Sequence, residues 1–123
     1  MNLDLVKTYT AGADIAAYTL VKFSADDTVV QAAAATDAII GVCVQPGGAK
    51  SGERVDVCID GVADVKMGGT VARGTPVTAD SSGQGVAPAP SAGVNNYVIG
   101  RALRAAASGD ITEVLIAPSM QQG

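Results

Sequence analysis

Few side chains in this sequence could carry out chemistry, and their types exclude more than they offer. There is no histidine, so the usual triad base, the imidazole metal ligand and a proton switch near neutrality are all missing. The two cysteines, Cys43 and Cys58, sit inside the apolar runs Val42-Cys43-Val44 and Val57-Cys58-Ile59. They are too far apart in sequence for a zinc motif and have no histidine to join them. Three pairs of carboxylates remain as candidates for general acid and base: Asp26 with Asp27, Asp56 with Asp60, and Asp110 with Glu113. All but Asp56 and Asp60 stand in or beside turn sequences, where carboxylates ordinarily cap backbone amides in solvent. The expectation is therefore a protein with no catalytic residues, no metal, no cofactor and no small-molecule substrate.

Two further patterns invite a ligand and fall short of one. The glycine clusters lack both the lysine-serine ending and the strand-to-helix setting of a phosphate-binding loop. Lys66, in Val65-Lys66-Met67 ahead of Gly68-Gly69-Thr70-Val71-Ala72-Arg73-Gly74, resembles the modified lysine of the biotinyl and lipoyl carriers, which are also small, all-β and internally symmetric. In those carriers the lysine occupies a hairpin tip well separated from the glycine turn, whereas Lys66 abuts it. A carrier or ligand-binding β module is thus the alternative, and a solvated strand lysine the simpler account.

The elements that would position these side chains are strands. Val55, Val57 and Ile59 alternate with Arg54, Asp56 and Cys58, the period-two pattern of a strand with one face on a core. Thr112, Val114 and Ile116 repeat it. Leu20 to Phe23, Ile39 to Val44, Ala63 to Met67, Pro76 to Thr78 and Tyr97 to Ile99 read as further short strands. Turn residues separate them at Ala25-Asp26-Asp27, Pro46-Gly47-Gly48, Gly68-Gly69, Asp80-Ser81-Ser82-Gly83 and Ser108-Gly109-Asp110, which suits a small β-barrel or β-sandwich. The alanine runs 32–35 and 105–107 are too short to hold a helix alone. Pro88-Ala89-Pro90-Ser91-Ala92-Gly93 carries two prolines that cannot donate to a ladder, and is the expected exposed loop.

The strands come in two similar halves. Sliding the sequence on itself by 56 positions places Gly12, Ile15, Ala16, Thr19 and Val21 over Gly68, Val71, Ala72, Thr75 and Val77. The register holds without a gap for roughly thirty residues, too long for the turn glycines to agree unless they do the same backbone work twice. With three extra residues in the second half, Ile40-Gly41 meets Ile99-Gly100, and Ser51-Gly52-Glu53 meets Ser108-Gly109-Asp110. The expected organisation is one domain over 1–123, with a pseudo-repeat of 3–58 and 59–116 and a C-terminal tail over 117–123. Two halves are too few for an open solenoid and are expected to close into one body.

Composition adds a reason to look for neighbours. Apolar residues make up 48% of the chain, yet there are only three tyrosines, one phenylalanine and no tryptophan. Burial stabilises in proportion to the apolar area removed, about 25 cal/mol per Å², so a core of alanine and valine gains little per residue. Contact with partner subunits would supply the missing area. A net charge of −4 with eight scattered basic residues gives no stripe for nucleic acid and no polybasic membrane anchor. The start Met1-Asn2-Leu3-Asp4 has neither a basic region nor an apolar run, so synthesis in the cytoplasm with free thiols is expected.

The string Lys7-Thr8-Tyr9-Thr10-Ala11-Gly12-Ala13, followed by Leu20-Val21-Lys22-Phe23, Val29-Val30-Gln31-Ala32, Ile40-Gly41-Val42 and Gly52-Glu53-Arg54-Val55-Asp56-Val57, resembles the head decoration (cement) proteins of tailed phages. The likeness continues through Gly69 to Val77, Ile99-Gly100 and Val114-Leu115-Ile116-Ala117-Pro118. The resemblance implies a structural virion protein, made in the host cytoplasm, that sits on the outer capsid surface. It implies the major capsid protein as partner, commonly a homotrimer, and stabilisation of the assembled head, with no catalytic residues. It brings no binding motif. Met1, Asn2, Leu3, Asp4 and Leu5, with Pro118, Ser119 and Met120, flank the duplicated body and are the expected capsid or inter-subunit contacts, as arms free to extend.

Overall fold

A computed structural model of the chain describes residues 5–88 and 95–122. Their order is β1 (Leu5–Ala11), β2 (Leu20–Ala25), β3 (Thr28–Gln31), β4 (Ile39–Cys43), β5 (Arg54–Lys66), β6 (Pro76–Ala79), β7 (Gly85–Val86), β8 (Asn95–Ala102) and β9 (Ile111–Gln122). No helix occurs among the described residues. The expected all-β class is what the chain adopts. Residues 89–94, which hold most of the proline-rich segment expected to form an exposed loop, lie outside the described residues.

The first five strands close on themselves. β3 pairs with β2, β2 with β4, β4 with β5, and β5 with β1, all antiparallel, while a parallel pairing of Thr10 with Thr28 and Ala11 with Val29 joins β1 to β3. Closure leaves this barrel no free sheet edge. Its interior is small and tightly filled by Tyr9, Ala11, Ile15, Val21, Val29, Cys43, Ala49, Val55 and Val57.

The second five-strand set begins on the same strand that ends the first. β5 pairs with β9, β9 with β8, β8 with β6, and β6 with β7, and a parallel bridge from Met67 to Gly85 stands where β1 meets β3 in the first set. Individual hydrogen bonds recur as well. Ala11 N–H donates to Glu53 O and Met67 N–H to Asp110 O, both at 2.8 Å; Gly12 N–H donates to Val29 O and Gly68 N–H to Gly85 O, again both at 2.8 Å. Gly41 and Gly100 mark the same close approach: a Cβ at Gly41 would strike the Cys58 carbonyl, and one at Gly100 the Leu115 carbonyl. Only a residue without a side chain lets the two backbones meet so closely.

Strand β5 is therefore one element of thirteen residues, where the sequence reading placed two strands, Val55 to Ile59 and Ala63 to Met67. Gly61, at φ 114, lets the chain pass from one set to the other in a backbone conformation closed to most side chains. The alternation also differs from the one-sided strand expected. Val57 is buried in the first interior and its neighbour Cys58 in a second core, which holds Val65, Met67, Val77, Ile99, Val114 and Ile116. Leu20, Ala32, Ile39 and Val42, on the outside of the first barrel, belong to that second core. The outer face of the first set thus forms one wall of the interior of the second, and β5 is buried on both faces at that point. Further backbone bonds cross the seam, from Leu20 N–H to Gly83 O (2.8 Å), Lys66 N–H to Tyr18 O (2.9 Å) and Tyr97 N–H to Ala35 O (2.9 Å).

Both described ends of the chain lie in strands. Leu5 is the first residue of β1 and pairs with Asp60. Residues 117–122 continue β9, where Ser119 pairs with Val98 and Met120 with Tyr97. The apolar alternation of β9 stops at Ile116, but backbone pairing with β8 continues through residues whose side chains carry no such signal. Met1, Asn2, Leu3 and Asp4 lie outside the described residues.

Candidate functional site

Of the candidate carboxylates Asp110 holds a turn, as Asp80 and Glu53 do elsewhere in the chain. Asp80 Oδ1 accepts from Ser82 N–H (2.8 Å) and Gln84 N–H (3.0 Å). Glu53 Oε1 takes Lys50 N–H at 2.8 Å, and Asp110 Oδ2 takes Ala107 N–H at 3.0 Å. Glu113 faces Arg104 at 3.2 Å. Asp56 accepts from the Thr8 hydroxyl at 2.8 Å, while Asp60 lies farther along the same strand. Asp26 and Asp27 are exposed at the β2–β3 turn, where Asp27 adopts the positive φ of 55° that aspartate tolerates better than most residues. No group of three or more potential metal ligands occurs among the described residues.

Asp37 is the most constrained of the carboxylates. Partial burial pushes its pKa up, but the Ala33 and Ala34 amides and the Lys22 ammonium, 2.9 Å away, outweigh that and hold it below its ordinary value. Cys43 is shifted the other way: burial raises the thiol pKa, keeping it in the unreactive protonated form. Cys43 and Cys58 are both buried, on opposite faces of neighbouring strands. Lys66 ends β5 opposite Ile111, half-buried, and does not stand at a hairpin tip.

What the surface offers is contact area. A row of four residues crosses the outer face of each set. On the first, Leu20 pairs with Val42, Val42 with Cys58, and Cys58 with Val6. On the second, Pro76 pairs with Arg101, Arg101 with Leu115, and Leu115 with Val62. Leu20, Val42 and Cys58 are covered by the second set. In the second row Leu115 is 43% exposed and Val62 37%, and nearby Leu103 is 41% exposed. Arg101 is exposed among them and donates to Gly74 O at 3.0 Å.

A second patch lies on the first set. Phe23, 50% exposed, packs edge-on against Tyr9 with ring centroids 5.4 Å apart, and Lys7 Nζ sits 5.3 Å from the Tyr9 centroid. These residues line an open groove with Asp26 and Asp27. Of the contact residues expected from the sequence, Leu5 is exposed at the start of β1 and Pro118 is exposed in β9. Ser119 and Met120 lie in the same strand. The patches around Phe23 and Leu115 escaped sequence reasoning, because an apolar residue alternating along a strand carries no mark of which face will be covered. The signal available was the comparison of halves, which sets Leu115 where the first half has Cys58.

The sequence profile of the phage cement proteins matches residues 2–117. Among solved structures, the head fiber gp8.5 N base in bacteriophage phi29 is similar in fold, with a TM-score of 0.67 at 22% identity, covering 94% of this chain and 95% of that one. No individually curated protein shows a significant sequence match.

Proposed function

We propose, from the premise that this chain belongs to the phage cement protein family, that it attaches to the outer surface of an assembled phage head. Its role is structural and capsid-associated. There it binds the major capsid protein as a homotrimer and stabilises the shell. The observation that carries this reading is the family match, which spans residues 2–117.

The mechanism is linkage. A protein that binds assembled shell more tightly than free or unfolded shell subunits shifts the equilibrium toward the intact particle by its differential affinity. Many such contacts, each modest, act together over a closed surface. The shell contacts are assigned to the ends of the chain, Met1 to Leu5 and Pro118, Ser119 and Met120. Of these, Leu5 and Pro118 are exposed.

The test is to incubate the purified protein with expanded empty heads and sediment them. Co-migration at a fixed ratio to the shell subunit, with heads that then resist heat or chelation longer, is the expected result. Protein left in the supernatant at saturating concentration refutes the reading. Accessibility of a label on the bound protein to an external quencher reports the side of the shell.

A further inference from the structure

The two rows described above differ in one respect that the fold itself poses as a question. In the first set, Leu20–Val42–Cys58 is covered by the second set, and the β6–β7 hairpin tip lies at its edge: Gly83 O accepts from Leu20 N–H, and Ser82 O accepts from Gln31 Nε2 at 2.6 Å. In the second set the corresponding row, Pro76–Arg101–Leu115, has no third set to cover it. The β2–β3 hairpin tip, which corresponds to the β6–β7 tip, is equally bare and carries Asp26, Asp27 and, at its base, Phe23.

We propose that these two bare surfaces are partners: the Phe23–Asp26–Asp27 tip of one copy docks on the Arg101–Leu115 row of the next. The occupant is a second copy of this chain, for two reasons. The internal seam already shows a hairpin tip of this fold seated at the edge of a row of this fold, so the contact continues an interface that the chain makes with itself. The charges are also complementary. Val42, at the centre of the covered row, is replaced in the bare row by Arg101, while the exposed hairpin tip bears two carboxylates in place of Ser82 and Gly83.

The chemistry is that of a mixed interface. Phe23, Leu115, Leu103 and Val62 supply apolar area, and the carboxylate–guanidinium contact fixes register and suppresses wrong pairings. The internal backbone bond is not repeated, since Pro76 stands where Leu20 donates and has no N–H. Side chains must therefore carry the contact. Because the two surfaces differ, the interface is heterologous, and it forms a ring where the repeated rotation closes. This deepens the homotrimer reading above and rests on it for closure at three, while the contact itself requires no capsid.

The test uses two exposed substitutions, Asp26→Lys and Arg101→Glu, in sedimentation equilibrium from micromolar to millimolar concentration. The wild-type chain is expected to associate, less so as salt screens the charges. Each variant alone is expected to associate about tenfold more weakly, with an unchanged circular dichroism spectrum. The double variant carrying both substitutions is expected to recover, because its lysine tip meets a glutamate row at every contact, and an equimolar mixture of the single variants is expected to recover in part, since a ring of three keeps one mismatched contact. A wild-type chain that is monomeric at millimolar concentration, or a mixture no better than its parts, overturns the proposal. Variants that fail to self-associate yet bind heads as wild type does would separate this contact from the shell contact. Loss of head binding by a self-associating wild-type chain would strike only the shell reading.

Discussion

Leu20 and Leu115 stand in the two rows, one covered and one bare, and that difference has a measurable size. Leu20 is wholly buried in the core that the first set's outer face shares with the second. Leu20→Ala deletes three carbons there, worth about 2.4 kcal/mol at about 0.8 kcal/mol per buried methylene. The cavity left behind adds to this, and fully buried leucine truncations generally cost about 2.7–5.0 kcal/mol. For a chain of this size the expected fall in Tm is roughly 10–20 °C. Leu115→Ala removes the same atoms from a side chain 43% exposed, and should cost no more than about 1 kcal/mol. The assay is urea unfolding followed by circular dichroism, at one dilute protein concentration so that self-association does not contribute. If Leu20→Ala costs under about 1 kcal/mol, or if the two variants are equally destabilised, then the second set does not cover the first as described and the argument from two rows fails.

Two titratable groups give further expectations. Asp37 has a folded pKa held below its ordinary value, so its contribution is present above that value and lost as the pH falls toward the folded one. Asp37→Asn should therefore lower stability near neutrality and make little difference at about pH 2; equal destabilisation at both would refute the electrostatic account. Cys43 and Cys58 are buried, and the Cys43 thiol is shifted upward, so neither should react with a thiol reagent at neutral pH until the chain is unfolded. Rapid modification of either in the native protein would contradict their placement.

How much of this was legible depends on what kind of signal each element carries. β2, β4, β6 and the centre of β9 declare themselves by short apolar or β-branched stretches between turn residues. β1 does not: its buried residues are Tyr9 and Ala11, while its more apolar Leu5 and Val6 are exposed, so hydropathy alternation points the wrong way. β3 is four residues long and runs into the alanines 32–35, and β7 is two residues long. The fusion of two expected strands into β5 was beyond reach for a similar reason. A glycine between apolar segments reads as a break, and only the structure shows that Gly61 keeps both neighbours in ladders. The burial of Cys58 next to Val57 violates period two because a second layer of protein covers the far face, which no local pattern encodes. The surfaces offered for contact were legible only by setting one half against the other: Val42 against Arg101, and Cys58 against Leu115.

The shared strand has a consequence for how the molecule can be divided. Each five-strand set counts β5 as its own, so no cut gives two complete pieces: a fragment ending before residue 54 leaves β1 and β4 without their neighbour, and one starting after residue 66 leaves β9 with β8 alone. On the ribosome the first ring can close as soon as β5 emerges, but Leu20, Val42 and Cys58 then face water until the second half arrives. The price of building two rings around one strand is an interval in synthesis when the most apolar face of the protein is its outside.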